Sequence, residues 1–311
     1  MTRVAVIGAS GFVGSACLAA LQEAGLQVEV VSAPRLRTSA RSVTALFREQ
    51  RTREAESLRS ALGEHDVVVN CAGIAAANAA ASDELFGANA LLPVVVAQAS
   101  RDAGVRRFIQ VSSAAVQGRR EPLTESAETD AFSPYSASKA LGEAALFSLD
   151  PPGLVIFRPT SVHGSGRPVT VSLSRLARSP LSSTAGTGTR PTPQVHIRNV
   201  AAAMAFLCAY PGPIQPIVLQ PAEGMTTGTL LRILGSRPPR QIPLPLARSI
   251  VKSGYRAATA LRTGSGLVRR VEMLWLGQGQ QDTWLLGAGF RPRIDEELWR
   301  ELSQKMSQRV V

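Results

Sequence analysis

Short apolar runs alternate with longer amphipathic stretches through the first half of the chain. Residues 4–7, 28–31, 67–70, 107–111 and 154–157 are runs of four or five residues rich in valine and isoleucine. Runs of that length with little polar alternation predict parallel strands buried on both faces. Between them, helical spacing of apolar residues covers 15–24, 85–103 and 135–149, the first closed by Gly25 and the last by Pro151-Pro152-Gly153. Strand and helix in alternation predict an α/β chain with a doubly wound, Rossmann-type parallel sheet. Residues 42–53 and 53–62 read as helical, with no convincing strand between residue 31 and Asp66. The run 67–70 therefore counts as fourth in a series whose third strand is not visible.

The alternation breaks after Gly164. Residues 169–178 and 199–209 read as helices, 195–197 and 214–219 as strands, and 182–193 as a Gly/Ser/Thr/Pro loop. Basic amphipathic patterns fill 226–262 and 266–276, and a last helix is expected from Asp295. The expected division is a dinucleotide-binding domain over 1–165, to which 195–222 returns. Residues 166–311 then form mostly a small substrate-binding lobe.

Charge changes this picture in one respect. Residues 1–150 carry a net charge of −2 and residues 151–311 a net of +13. No acid occurs between Asp150 and Glu223, where Arg158, Arg167, Arg175, Arg178, Arg190 and Arg198 all fall. Uncompensated positive charge favours an anionic partner. Aromatics make up 5% of the chain and do not interleave with the basic residues, so a nucleic-acid stacking surface is not expected. The three cysteines and three histidines are dispersed without metal-ligand spacing, so no metal is expected. The N-terminus lacks a signal-peptide pattern, and no apolar run reaches the roughly 18 residues a membrane span needs. The expectation is a cytoplasmic protein without a transmembrane segment.

Two stretches carry candidate chemistry. Gly8-Ala9-Ser10-Gly11-Phe12-Val13-Gly14 lies between the first strand and the first helix. Glycines there permit a tight turn and close approach of backbone to a pyrophosphate, which the helix N-terminus attracts. At the end of the second strand, where a site for NAD places an acid, stands Ser32, with Arg35 and Arg37 close behind. Arginines suit a ribose 2′-phosphate, so NADP is favoured over NAD. Further on, Tyr135 and Lys139 stand four apart in a helical pattern and so share a face. A nearby ammonium favours the phenolate and makes tyrosine a usable general acid/base. Ser112 and Ser113 close the strand 107–111, at the strand end where open α/β sheets bind ligands.

Taken in order, GASGFVG at 8–14, DVVVNCAG at 66–73, Asn89, VSSAAVQG at 111–118, YSASK at 135–139, RPTSVHG at 158–164, VHIRNVA at 195–201 and GFRPR at 289–293 resemble the extended short-chain dehydrogenase/reductases, in the nucleotide-sugar epimerase/dehydratase branch. The resemblance implies that Ser113, Tyr135 and Lys139 are catalytic. Gly8, Ser10, Gly11, Phe12, Val13, Gly14, Ser32, Arg35, Arg37, Cys71, Ala72, Gly73, Asn89, Val111, Ser112, Pro159, Thr160 and Val162 would hold the cofactor together with Tyr135 and Lys139. Ala75, Ser113, Ala114, Tyr135, His163 and Arg190 would meet the substrate, with Arg190 on a diphosphate.

A homodimer and an NAD(P)-dependent epimerase or 4-ketoreductase on a nucleotide sugar are the matching expectations. A ketoreductase on a neutral small molecule and a non-catalytic NADP-binding protein are the alternatives. Several positions depart from the family pattern. Gln117 and His163 stand where relatives carry tyrosine, and Arg198-Asn199 where an acidic pair is common. Ala114-Ala115 replace the Asp-Glu that a dehydratase needs, which argues against dehydration.

Overall fold

The computed structural model describes residues 2–49, 52–75, 80–261, 264–293 and 296–308. The first half runs β1 (Arg3–Ile7), α1 (Phe12–Glu23), β2 (Gln27–Val31), α2 (Val43–Arg48), α3 (Thr52–Leu62), β3 (Val67–Asn70), α4 (Asp83–Phe86), α5 (Leu92–Asp102), β4 (Arg107–Val111), α6 (Pro134–Leu149) and β5 (Leu154–Arg158). The second half runs β6 (Ser161–His163), α7 (Pro168–Arg178), β7 (Ser183–Ala185), β8 (Gln194–His196), α8 (Ile197–Ala209), β9 (Ile217–Leu219), α9 (Thr227–Gly235), β10 (Arg240–Ile242), α10 (Leu244–Leu261), α11 (Ser265–Leu276), α12 (Trp284–Gly287) and α13 (Glu296–Gln308).

Six parallel strands form the main sheet in the order β2-β1-β3-β4-β5-β9. Every residue of β3, β4 and β5 is buried, as their unbroken apolar runs require when helices cover both faces. One core cluster joins α3, α5 and α6 to one face through Leu62, Val95 and Leu146. A second joins α1 and α8 to the other through Cys17, Leu21 and Met204. The strand 67–70 pairs directly with β1. It is therefore third in sequence, not fourth: among the described residues no strand intervenes after Val31, and α2 and α3 occupy that stretch. The sheet order turns back at β1 and β3, and the glycine loop sits at that switch point, where ligands enter such sheets.

Strand β9 returns the chain to the main sheet beside β5. Apart from that sheet, α7, α9 and α13 close on a separate cluster around Leu230, Leu231, Leu234 and Trp299. Trp299 donates its indole N–H to Glu223, which also accepts from Asn199. The Asn199 of the departed acidic pair thus serves packing, between α8 and the last helix. The three-residue strand β10, paired in parallel with β7, was not expected from the sequence, where 226–262 contains helical patterns. The expected helix start at Asp295 lies outside the described residues.

Candidate active site

The glycine loop is shaped as a phosphate cradle. Gly8 has φ of 80°, in the left-handed region that side chains avoid, and a Cβ there would meet the Ala72 backbone. A Cβ on Gly14 would collide with the Gly8 carbonyl oxygen. Gly11 caps α1 without a side chain, and no acid lies in the first turn. The first-turn N–H groups therefore point to a ligand of negative charge. These features fit a dinucleotide pyrophosphate. Gly14→Ala is expected to cost about 1–3 kcal/mol of stability from overpacking and to weaken dinucleotide binding, measured by thermal melting and by nucleotide titration.

Around the cradle, the expected cofactor residues divide. Ser10 is exposed and Phe12 and Val13 half-buried at the start of α1. Cys71 and Ala72 face Gly8 across the strand ends, and Cβ space at Gly73 is taken by Asn89 and by the Lys139 ammonium, 3.1 Å away. Pro159 is buried and Thr160 half-buried. Arg35 and Ser32 are exposed after β2, while Arg37 pairs with Glu84 at 2.8 Å.

Two residues in the cofactor set face elsewhere. Ser112 is buried and donates its hydroxyl to Glu143, so its side chain belongs to the interior. Asn89 sits in a π-helical turn over Gly87–Leu91, a feature common at functional sites. Its amide accepts from the N–H of Ile74 and donates to the Ile74 carbonyl and to Ser138, all at 3.0 Å. It braces the loop after Gly73 against α6 instead of presenting a free amide.

Helix α6 delivers Tyr135 and Lys139. Ser133 and Ser136 form a reciprocal capping box at its start, with Pro134 in the first turn, which fixes where the helix begins. Tyr135 is half-buried at the edge of a cavity of about 560 Å³. Ser113, Ala114, Ala75, Thr160 and Val162 line the same cavity. Burial raises the Tyr135 pKa above its ordinary value, opposed by a hydrogen bond with Ser113 and by the charge of Arg167. Lys139 donates to the Val111 carbonyl at 3.0 Å, and burial pushes its pKa down to about 8, against the pull of Glu143. The charge of Arg167 thus works against burial at the phenol, while Lys139, the cation expected there from the sequence, rests on the Val111 carbonyl.

Arg167 leads into α7. Its guanidinium stacks over Phe12 at 5.0 Å and donates to the Val162 carbonyl at 2.8 Å. Arg269 and Arg270 of α11 also line the cavity, with Met273, Leu123, Phe132 and Gln278. Periodicity gave no sign that Arg167, Arg269, Arg270, Met273 and Gln278 meet here, since they arrive from elements far along the chain from Tyr135. Arg190 does not line this cavity. It lies in an adjoining cleft of about 310 Å³ with Arg119, Arg248 and Arg269, and donates to the Leu276 carbonyl.

His163 departs from its expected substrate contact as well. It is buried at 1% exposure, with one ring nitrogen on Thr170 at 3.1 Å and the other on Gln194 at 2.6 Å. Gln117, in the other tyrosine position, is also fully buried and donates to Thr124. Both side chains tie loops together beneath the site. Burial pushes His163 and His196 down to about 4. The unfolded chain takes up protons on both as pH falls through about 6.5, but the folded chain does so only near 4. The stability present above pH 6.5 is therefore lost progressively between about 6.5 and 4. Thermal midpoints measured across that range are expected to start falling near 6.5, above the range where ordinary carboxylates titrate.

A family model decides what this arrangement belongs to. The model of the NAD dependent epimerase/dehydratase family matches residues 4–216, more than half of the chain. The chain belongs to that family. It is 30% identical over 173 residues to a 4-hydroxy-2-methyl-3-oxo-4-farnesyl-3,4-dihydroquinoline-1-oxide ketoreductase of Stigmatella aurantiaca, covering 52% of this chain and 51% of that protein. It is 30% identical over 189 residues to a UDP-glucose 4-epimerase of Neisseria meningitidis serogroup C, covering 53% and 56%. A ceramide reductase of Caulobacter vibrioides is 34% identical over 156 residues, covering 48% and 44%. The chain thus spans about half the length of the curated relatives it matches. Among solved structures, a Thermus thermophilus UDP-glucose 4-epimerase with NAD aligns with TM-score 0.63 at 20% identity, covering 98% of this chain and 99% of that one. A human epimerase family protein with NADPH aligns with TM-score 0.65 at 20% identity, covering 97% and 99%. At that identity the likeness is one of fold.

Proposed function

We propose that the chain transfers a hydride between NAD(P) and a carbinol or keto carbon of an anionic small molecule, a nucleotide sugar. The observation that carries this reading is one cavity that brings Tyr135 and Ser113 together with three arginines, Arg167, Arg269 and Arg270. Its volume of about 560 Å³ lies within the range of small-molecule sites. Two of the curated relatives are named as acting on UDP-glucose or on a ketone.

Gly8, Gly11 and Gly14 would hold the pyrophosphate, and Lys139 and the loop at Ala72-Gly73 the ribose next to the nicotinamide. Bound there, the cofactor supplies or accepts the hydride. The protein handles the proton. Burial keeps the Tyr135 phenol protonated through neutral pH, so in the ketone-to-alcohol direction its O–H is the donor to the carbonyl oxygen. Ser113 hydrogen-bonds the same oxygen and fixes its position. Ser32 without an acid, and the exposed Arg35, support NADP as the preferred cofactor, with Arg37 partly committed to Glu84. The reading also includes a reduced cytoplasmic setting and a homodimer, which sedimentation velocity tests.

A second reading, reduction of a lipophilic ketone, is favoured by the Ala75, Ala114, Leu123, Phe132, Val169 and Met273 walls of the same cavity. NADPH oxidation against 4-keto nucleotide sugars and against neutral ketones separates the two. The nucleotide-sugar reading expects Arg270→Ala to raise KM about tenfold or more with little change in kcat, since a charge-assisted contact contributes about 1.5–3 kcal/mol. Turnover of neutral ketones alone, indifferent to Arg270, would replace it with the second.

A further inference from the structure

We propose that the hairpin of α10 and α11 is a docking surface for an anionic lipid bilayer. Helix α10 sorts its residues into three faces at about 100° per residue. Ala247, Val251 and Ala258 are buried, and Gly254 between them approaches Val268 of α11 so closely that a Cβ would touch its methyl groups at 3.3 Å. This face holds the helix to the protein. A second stripe, Leu246, Ile250, Ala257 and Leu261, faces outward. A third, Arg248, Lys252 and Arg256, is exposed on the other flank, with Ser249, Ser253 and Ala260 between the two.

The outward apolar stripe is not ordinary surface scatter. Leu246 is 52% exposed, Ile250 44%, Leu261 73% and Leu267 at the start of α11 61%. Half of the large hydrophobic residues exposed among the described residues thus fall within one hairpin. Isolated exposed leucines need no explanation, but a row of them along one helix does.

Charge selects the occupant. Helix α10 contains no acid. The one acid of α11, Glu272, is 7% exposed and accepts from Tyr255 at 2.7 Å, Arg269 at 2.8 Å and Arg119 at 2.9 Å. No exposed acid on the hairpin therefore cancels Arg248, Lys252 and Arg256. A second copy of this face would set those cations against their own kind. An anionic headgroup layer neutralises them while its acyl boundary takes the apolar stripe, the arrangement of helices that lie in a membrane interface. Helix α11 lines the candidate active site through Gly266, Arg269, Arg270 and Met273, so the docked element and a wall of the cavity are one unit. The inference stands whichever substrate the cavity takes.

The test is flotation of the whole protein with phosphatidylcholine vesicles, with and without phosphatidylglycerol, at about 0.1 M salt, where the screening length is about 10 Å. Binding is expected with phosphatidylglycerol and not with phosphatidylcholine alone, and to fall about tenfold or more in Leu246→Glu/Ile250→Glu. A second variant, Arg248→Glu/Lys252→Glu/Arg256→Glu, is expected to lose at least as much, since each cation near such a surface contributes about a factor of five. Circular dichroism melting shows whether each variant is folded, and the charge-reversed one serves where the apolar one is not. Equal flotation with both vesicle types, none with either, or loss in neither variant would overturn the proposal. So would a lipid-free dimer, seen by sedimentation, that Leu246→Glu/Ile250→Glu dissolves.

Discussion

Tyr135→Phe is expected to lower kcat by about 10²–10⁴-fold, the range that a positioned acid/base contributes, while dinucleotide affinity changes little. The substitution keeps the ring that lines the cavity and removes only the O–H. Ser113 is left without its phenol partner, yet still caps the short helical turn after β4 by accepting from the N–H of Ala115, so the local backbone holds. The pH profile gives a second reading. Burial lifts the phenol pKa, and Ser113 and Arg167 only partly offset it. Ketone reduction is therefore expected to stay level through neutral pH and to fall on the alkaline side as the donor ionises. An Arg167→Gln variant loses one of the two opposing influences, so its alkaline limb should move to higher pH. Steady-state rates with the best substrate check all three expectations.

Glu143→Ala is expected to cost about 3–5 kcal/mol, because it leaves a guanidinium uncompensated in the interior. Arg158 is wholly buried and Glu143 nearly so. The arginine donates twice to the Glu143 carboxylate, at 2.6 and 3.1 Å, and once to the Ser126 carbonyl at 2.7 Å. Ser112 adds a further hydrogen bond to Glu143. This cluster locks the end of β5, the strand-end turn at Ser112 and the middle of α6 together, one turn below Lys139. Replacing both charges, as in Glu143→Met/Arg158→Leu, should recover much of the loss, since a buried pair is often no more stable than apolar residues of like volume. Denaturant midpoints for Glu143→Met, Arg158→Leu and the double variant form the cycle that decides this. Loss of Glu143 also removes the charge that supports protonated Lys139, so the ammonium should titrate below about 8 in that variant.

How far the sequence reached depended on where each signal was stored. Strand β4 has both its ends where the apolar run predicts, because a strand buried on both faces writes its whole length in side chains. Strand β10 has three residues, two of them exposed and one half-buried, and so left no apolar run to read. The missing third strand was a question of topology: β1 pairs with β3 directly, and only the sheet order shows it. In the site, Ser113, Tyr135 and Lys139 were legible as local motifs at strand end and helix start.

Glu143 had a local signal too. It follows Tyr135 and Lys139 at the same spacing of four and so continues one face of α6. Arg167 had only its place in an acid-free stretch, and Arg269 and Arg270 only a basic helical pattern, because a loop and a distant helix bring them to the cavity. Arg190 and His163 show the reverse case, motif positions whose side chains fold toward a neighbouring cleft and into the interior.

At the centre stands a dinucleotide whose pyrophosphate lies in the glycine cradle and whose nicotinamide reaches Tyr135. Denaturing release of nucleotide from the purified protein, identified by mass, followed by titration of the stripped protein with NADPH and NADH, tests it most directly. Either retained NAD(P) or saturable binding of added cofactor is expected, tighter for NADPH and weakened by Gly14→Ala. Protein that carries no nucleotide and binds neither form would contradict it.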